Sequence, residues 1–500
     1  MILLSLVLLP LVGSGIWSAL PDGKARWSLS RAVALGEFVL ALASAIRGES
    51  FLTGVSWGWA DFAGWSLVLT GHASGVIFAM ALSGAYLSAL LDGKVSRSGW
   101  DGVLLFSMSG AMIASLAGSW STALVGWFLA WGPLLAVVGL GPDPAARAAA
   151  RRAARYGALA FGFILAADIL AGSGRPHSAL ASALLLVGLA LSSGLFPVHG
   201  WLSQLTSKTD PLFGGLAGTL GSKLLVIHWL RQAMQSPPGP VETHWLQGLA
   251  LLTIVHAALV GWTFRRDVRA SFAPVTAAVN ALVILGGLSG TKAGFVGSVL
   301  LASGQVVAAA GLWSCLRREH GESMGVLSTG WFLLGLPGSA AFVGFLGVLT
   351  GLFRARSLPA FGFFDGHSHI LHARLTAVGA LVGYILVLAA MGHALYHRFY
   401  ESLPPGGMSP AIGARTGRQG GTLPGWFVAV VVGLLLGLVP AVWSKRLAPL
   451  PRQKAATTLS ERRWNGKASW AAASRRFFSG KERSPVLAVS EPVETGREVH

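Results

Sequence analysis

The sequence is poor in cysteine and in charged residues. Its 500 residues include one cysteine, Cys315, which excludes a disulfide framework and any metal or iron–sulfur site built from several cysteines. Only 12% of the residues are charged, while 53% are hydrophobic and the mean hydropathy is +0.62. Because a soluble domain contains about twice that share of charged residues, the composition indicates a multi-pass membrane protein.

Acidic residues are also scarce, with 20 Asp and Glu against 38 Lys and Arg and a net charge of +18. The basic residues lie between apolar segments and in the C-terminal tail, a pattern typical of membrane topology rather than of a nucleic-acid-binding face. No Walker motif, dinucleotide-binding fingerprint or nucleophile elbow occurs in a loop of the right context. We therefore expect no catalytic centre, no cofactor, no metal site and no nucleic-acid partner.

Apolar segments long enough, or nearly so, to cross a bilayer recur along the chain. They predict an all-α polytopic membrane protein of about 14 transmembrane helices, in which the first segment is a membrane helix rather than a signal peptide. The predicted spans are 2–20, 29–46, 67–91, 101–117, 120–140, 154–172, 178–198, 212–232, 246–264, 272–289, 294–316, 326–352, 374–397 and 423–443.

Lys and Arg are concentrated in the loops that follow the odd-numbered spans. The positive-inside rule therefore places the N-terminus outside the cell inner (plasma) membrane. The basic tail at 446–500 then lies on the outer side, which conflicts with the same rule. Either the last span does not cross the membrane or the tail docks on another subunit, and the sequence leaves both alternatives open.

Two spans are interrupted by glycine and proline. Span 7 breaks in "LSSGLFPVHGWL" (191–202), at Gly194 and Pro197, and span 12 breaks in "LGLPGSAAF" (334–342), at Pro337 and Gly338. Paired interruptions five spans apart are the sequence signature of inverted repeats. The predicted organisation is helices 1–3 in 1–100, two inverted five-helix repeats in 101–232 (helices 4–8) and 246–397 (helices 9–13), helix 14 in 423–443, and the tail.

Five stretches together resemble the antiporter-like membrane subunits of respiratory complex I (NADH:quinone oxidoreductase) and the Mrp cation/proton antiporters. The resemblance covers most of the chain and implies the fourteen-helix fold with broken helices 7 and 12. The stretches are "WFLAWGPLLAVVGL" (127–140), "LFPVHGWL" (195–202), "GSKLLVIHWLR" (221–231), "RRDVRASFAPVTAAVN" (265–280) and "LGLPGSAAFVGF" (334–345).

The resemblance implies a relay of protons along ionisable residues in the middle of the membrane. Lys223 matches the lysine of the family's eighth helix. The sequence departs from the family at Phe128 (fifth-helix glutamate), Ser192 (seventh-helix lysine), Gln305 (eleventh-helix histidine) and Phe345 (the twelfth-helix acid or lysine). Phenylalanine does not titrate, so these positions argue against proton conduction along the usual route.

Candidate residues for a remaining proton pathway are Lys223, His199 at the first break, Glu37 in span 2 and His256 in span 9, because ionisable groups within a membrane are costly and normally functional. The resemblance implies a membrane subunit of a proton- or cation-translocating complex, at most a non-redox translocase subunit, with other membrane subunits and lipid as partners. A diverged, non-conducting anchoring subunit and the membrane partner of a soluble subunit in proton-driven inorganic-carbon uptake remain as alternatives.

Overall fold

The structure is a computed structural model. Residues 1–448 form one compact unit. Residues 449–500, which make up most of the predicted tail, lie outside the described residues. The structure describes residues 2–21, 23–47, 55–57, 67–91, 99–172, 179–235, 238–317, 323–355, 369–401, 424–438, 442–443 and 447.

The described chain contains sixteen helices and one short two-stranded ribbon. The first half comprises α1 (Ile2–Ala19), α2 (Lys24–Arg47), β1 (Val55–Trp57), β2 (Leu67–Leu69), α3 (Ala73–Leu90), α4 (Asp101–Leu116), α5 (Trp120–Leu140), α6 (Pro144–Gly172), α7 (Ala179–Ser193) and α8 (Gly200–Lys208). The second half comprises α9 (Pro211–Gln235), α10 (Pro240–Thr263), α11 (Val268–Leu288), α12 (Lys292–Leu316), α13 (Ser323–Leu333), α14 (Ala340–Arg354), α15 (His369–Glu401) and α16 (Gly425–Leu438).

Among the described residues, nine helices are long and apolar enough to cross a membrane, and five further apolar helices are shorter. This confirms the predicted all-α polytopic membrane protein. The spans of α3, α11 and α12 are completely buried, whereas those of α1 and α6 are mostly exposed. The former helices therefore form the centre of the bundle and the latter its outer surface.

Glycine permits close packing between α12 and α14. A Cβ atom at Gly297 would collide with the backbone amide of Val348, and a Cβ atom at Gly344 would collide with that of Leu301. The two helices thus approach backbone to backbone, as small residues allow in membrane bundles.

The first predicted break lies between α7 and α8. Gly194 has φ +65°, which ends α7 in the left-handed conformation that glycine adopts most readily. The amide of Leu195 donates back to the carbonyl of Ala190, 3.1 Å away, as in a Schellman ending. Val198 then donates to Leu195 (2.8 Å), and α8 begins at Gly200.

The second predicted break lies between α13 and α14 and begins at Gly335, two residues before the predicted Pro337. Gly335 and Gly338 have φ of +62° and +93°. The amide of Leu336 donates to the carbonyl of Trp331 at 3.2 Å, which again spans five residues. Both interruptions predicted from glycine and proline are therefore present. The second divides predicted span 12 into α13 and α14, whereas the first ends α7 within predicted span 7, and α8 begins just beyond that span.

Among the boundaries that differ from those predicted, two change how a segment is assigned. Helix α6 begins at Pro144, ten residues before predicted span 6, so the basic segment assigned to a loop is helical. Predicted span 3 was to start at residue 67, but Leu67–Leu69 forms β2, which pairs antiparallel with β1, and α3 starts at Ala73. The carbonyl groups of Val68 and Leu116 accept from the amides of Gly118 and Thr70, so β2 is held against the end of α4.

Candidate functional site

Lys223 lies in α9 and is 1% exposed. Its Nζ donates to Oδ1 of Asn280 in α11, 2.7 Å away. The amide Nδ2 of Asn280 in turn donates to the carbonyl of Ser193 at 2.7 Å. In an uninterrupted helix that carbonyl would accept from residue 197, but Pro197 has no N–H group. Asn280 therefore satisfies a carbonyl that the break leaves free, and it connects the break to the buried lysine.

Other side chains satisfy the remaining backbone groups of the first break. The indole of Trp201 donates to the carbonyl of Leu191 at 3.0 Å. The amide of Phe196 donates to Oγ1 of Thr253 in α10, also at 3.0 Å. Because backbone polar groups within a bilayer need partners, these bonds fix the break between α10 and α11.

A second buried polar pair lies one helical turn from Asn280. Gln305 in α12 is 1% exposed, and its Nε2 donates to Oγ1 of Thr276 at 3.3 Å. Thr276 and Asn280 are four residues apart and so share one face of α11. The three helices α9, α11 and α12 thus present a line of polar groups, which we term the polar row (Lys223, Asn280, Thr276 and Gln305).

His199 and His256 meet on the other side of the first break. Their Nε2 atoms lie 3.0 Å apart and their ring centroids 4.4 Å apart. His199 directly precedes α8, while His256 is on α10. Both line a cavity of about 270 Å³ together with apolar side chains and the hydroxyls of Ser203 and Thr253. Two of the four predicted pathway residues are therefore in direct contact.

Arg231, eight residues after Lys223, has a structural role. Its guanidinium donates to the carbonyl groups of Ser115 and Ala117, at 2.9 and 2.7 Å, and lies 2.9 Å from Nδ1 of His228. It thereby satisfies carbonyl groups at the C-terminus of α4, which have no partners within that helix.

Glu37 lies apart from these groups. It is fully buried in α2, and both carboxylate oxygens lack a hydrogen-bond partner among the described residues. Its helix packs against α1, α3 and, less extensively, α4. The structure therefore does not bring Glu37 to the polar row.

Two of the positions that differ from the family lie away from the polar row. Phe128 is 61% exposed, so it lies on the outer surface and does not obstruct a route through the interior. The adjacent Trp127 is 1% exposed, and its indole donates to the carbonyl of Gly221 in α9 at 2.7 Å. Phe345 is partly buried, and its ring centroid lies 4.8 Å from that of Tyr384 in α15.

Ser192 and Gln305 occupy interior positions. Ser192 is 2% exposed, and its hydroxyl donates to the carbonyl of Leu189 in its own helix at 3.1 Å. Gln305 belongs to the polar row, and its Oε1 is buried without a hydrogen-bond partner in the described part of the chain. Neither side chain titrates, so Lys223 is the ionisable member of the polar row.

The sequence interpretation did not single out Asn280 or Thr276. Both lie in the apolar helix α11 at i and i+4, and polar side chains in membrane helices commonly form hydrogen bonds between helices. That spacing was the available signal. It does not identify the partners, which come from α7, α9 and α12.

No protein-family model matches the sequence, and no curated protein matches it. Solved structures do. A chain of respiratory complex I from Thermus thermophilus has a TM-score of 0.71 and 20% identity, covering 89% of this chain and 97% of that one. A chain of the Mrp complex from Dietzia sp. DQ12-45-1b has a TM-score of 0.70 and 17% identity, covering 90% and 97%.

A third similar chain comes from the membrane-bound sulfane sulfur reductase, an archaeal respiratory membrane complex, with a TM-score of 0.65 and 14% identity, covering 89% of this chain and 96% of that one. The resemblance drawn from the five motifs is confirmed at the level of fold. The chain is a multi-pass membrane protein with the fold shared by these chains of multi-subunit membrane complexes.

Proposed function

We propose that the chain is a membrane subunit of a multi-subunit, proton- or cation-translocating complex of the complex I/Mrp type. The support is the shared fold over about nine-tenths of the chain with chains of such complexes, together with an ionisable group, Lys223, buried in the centre of the bundle. The same proposal includes the cell inner membrane as its location, the N-terminus on the outer side, and other membrane subunits as its partners.

We further propose that Lys223 is the proton-carrying group of this subunit. The observation that supports this proposal is the burial of Lys223 together with its hydrogen bond to the neutral amide of Asn280. A charged group costs free energy at this depth and normally marks an ion pathway. The Oδ1 atom of Asn280 can accept from an ammonium and, more weakly, from a neutral amine. The contact therefore persists while the lysine gains and loses a proton, as a carrier requires.

The His199–His256 cavity provides the route by which protons approach. Imidazole exchanges protons near neutral pH, and the cavity adjoins the same break whose Ser193 carbonyl binds Asn280. The segment from Gly194 to His199 thus links the cavity to the polar row. Glu37 is not included in this route, because it lies among α1–α4.

A second candidate function is a non-conducting subunit that anchors partners. Its support is the aromatic packing against Gly221, two residues before Lys223 in α9. The rings of Trp127 and Trp131 stack at 4.8 Å, and Trp201 lies edge-on to Trp131 at 5.6 Å. Indole rings do not conduct protons. In addition, the N–H group of Trp127 donates a hydrogen bond to the carbonyl of Gly221.

Proton flux in vesicles containing the purified complex distinguishes the two functions. Lys223→Met removes the charge while keeping an unbranched side chain, and Lys292→Met removes an exposed lysine at the start of α12 as the matched control. We expect a loss of flux of at least about tenfold for Lys223→Met, equivalent to about 1.4 kcal/mol in the barrier, and none for the control. Equal flux in both variants at equal assembly would support the anchoring function.

A further inference from the structure

The contact between His199 and His256 joins two parts of the fold that are far apart in the sequence. His199 belongs to the break between α7 and α8, and His256 to the middle of α10. We propose that these two imidazoles form a binding site for a borderline transition-metal cation, Zn²⁺ or Cu²⁺, which fastens the break to α10. The proposal goes beyond the proposed function and requires no proton conduction.

The distance between the two nitrogen atoms suits a shared metal ion. Their Nε2 atoms are 3.0 Å apart. With Zn–N bonds of about 2.0–2.1 Å, this distance corresponds to an N–Zn–N angle of roughly 94°. The tetrahedral angle would require the two nitrogen atoms to be about 3.4 Å apart. A movement of about 0.4 Å therefore converts the hydrogen-bonded pair into a chelating pair. Imidazole is a preferred ligand of zinc and copper.

The two rings are held in place by their neighbours. The ring of Phe196 lies 4.6 Å from that of His256 and is nearly parallel to that of His199, at 6.2 Å. The amide of Phe196 is bound to Thr253, one turn before His256 on α10. The site is thus partly formed before a cation arrives, which reduces the ordering cost of binding.

The cavity can supply the remaining ligands. Its volume of about 270 Å³ accommodates several water molecules, each of which needs about 30 Å³. The hydroxyl of Ser203 lines the cavity one helical turn after His199. Among the described residues no three His, Cys, Asp or Glu side chains come together, so two imidazoles plus oxygen ligands define a labile, exchangeable site rather than a closed structural one.

The second nitrogen of His199 limits the affinity. Coordination through Nε2 leaves the proton on Nδ1, and that atom is buried without a hydrogen-bond partner within the described ranges. Metal-binding histidines usually donate this proton to a second group. We therefore expect reversible binding that a chelator removes.

The test measures metal binding directly on the purified, intact complex or full-length chain. Cu²⁺ is titrated and observed by electron paramagnetic resonance, and Zn²⁺ is then added as a competitor. We expect one site with coupling to two imidazole nitrogens. His199→Gln and His256→Gln should each weaken binding at least about tenfold, because each removes one of two protein ligands.

His393→Gln is the matched control, because His393 and His397 form another histidine pair, four residues apart on α15, with ring centroids 6.4 Å apart. The proposal would be overturned if Cu²⁺ binding is unchanged in both His199→Gln and His256→Gln. It would also be overturned if only His393→Gln abolishes Cu²⁺ binding.

A further measurement serves if a glutamine variant fails to assemble. Zn²⁺ should protect both His199 and His256 in the wild-type protein from diethyl pyrocarbonate, as read by mass spectrometry. Protection elsewhere, or at neither residue, would overturn the proposal. The metal readouts are independent of the flux assay, so the failure of the proposed function and the failure of this inference are distinguishable.

Discussion

The two helix breaks begin with the same glycine ending and the same hydrogen-bond pattern, but they have different surroundings. In each, a glycine with φ near +60° ends the first helix (Gly194 and Gly335), and the next amide donates to a carbonyl five residues earlier. Three residues after that amide, a further amide closes the turn: Val198 donates to Leu195, and Ser339 donates to Leu336. This shared construction supports the proposal that the two five-helix segments are related units.

Side chains of α10 and α11 bind the first break, whereas the side-chain bond at the second is local: the indole of Trp331 donates to the carbonyl of Pro337 at 3.3 Å. The first break receives donors or acceptors from Asn280, Trp201 and Thr253. At the second, Gly437 of α16 lies so close to Ser339 that an added Cβ would approach its carbonyl carbon to 2.6 Å. The difference shows that the broken backbone does not depend on ionisable chemistry. The charged group, Lys223, accompanies only the break whose carbonyl is bound by a side chain from another helix.

Replacement of Asn280 should lower the stability more than any other change, and this effect should arise at the first break alone. Asn280→Leu leaves both Lys223 and the Ser193 carbonyl without their observed partner, and each buried group left unpaired costs about 1–3 kcal/mol. We expect a clear fall in the melting temperature in detergent. The corresponding polar-to-apolar change near the second break, Thr329→Val on α13, removes a hydroxyl that donates to Gly325 in its own helix and should cost less.

The double variant separates a lost hydrogen bond from a general packing defect. Adding Lys223→Met to Asn280→Leu replaces both partners by apolar side chains, which can be nearly neutral for such a pair. The melting temperature should then recover partly, with the Ser193 carbonyl still unpaired. If the two substitutions lower the melting temperature additively, the hydrogen bond between Lys223 and Asn280 does not contribute to stability.

Substitution of the two terminal glycines should affect both breaks alike. Gly194→Ala and Gly335→Ala each force a side chain into a left-handed conformation, at a cost of roughly 1–2 kcal/mol. Gly194→Ala should be slightly worse, because its Cβ would lie 3.3 Å from Leu202, against 3.5 Å from the nearest atom at Gly335. Gly162→Ala is the control, since this glycine of α6 has open space around its Cβ position and no left-handed φ.

These costs are read as changes in melting temperature at equal protein concentration and detergent. Similar losses at the two breaks, with no loss for the control, would support equivalent backbones, since alanine is a better helix former than glycine at position 162. A loss at one break alone would contradict the equivalence.

Much of the fold follows from the sequence because apolar length and helix-breaking residues act locally. The breaks at Gly194 and near Pro337 were predicted for this reason. The start of α6 was misplaced because its basic residues were assigned to a loop, although alanine and arginine are among the strongest helix formers. The strand β2 was missed because its apolar residues continue into α3, and its partner β1 supplies the pairing from a distance.

The site is less accessible from the sequence because it depends on contacts between helices. Lys223 was identified by its type and position, but its partner Asn280 lies 57 residues away and is placed by the crossing of α9 and α11. Likewise, His199 and His256 were each proposed singly, and their contact arises only when α10 packs beside the first break. The resemblance placed Phe128 at an interior relay position, whereas the structure exposes Phe128 and buries its neighbour Trp127.

The different exposure of these two neighbouring residues of α5 leads to the prediction with the smallest expected change in stability. Trp127→Phe removes the indole donor to the carbonyl of Gly221, so the variant should lose about 0.5–1.5 kcal/mol of stability. Phe128→Leu exchanges one exposed apolar side chain for another and should stay within about 0.5 kcal/mol of wild type. Thermal unfolding of both variants in detergent measures the contrast. A larger loss of stability for Phe128→Leu than for Trp127→Phe would indicate that Phe128 contacts a partner subunit. Helix α5 would then form part of a subunit interface.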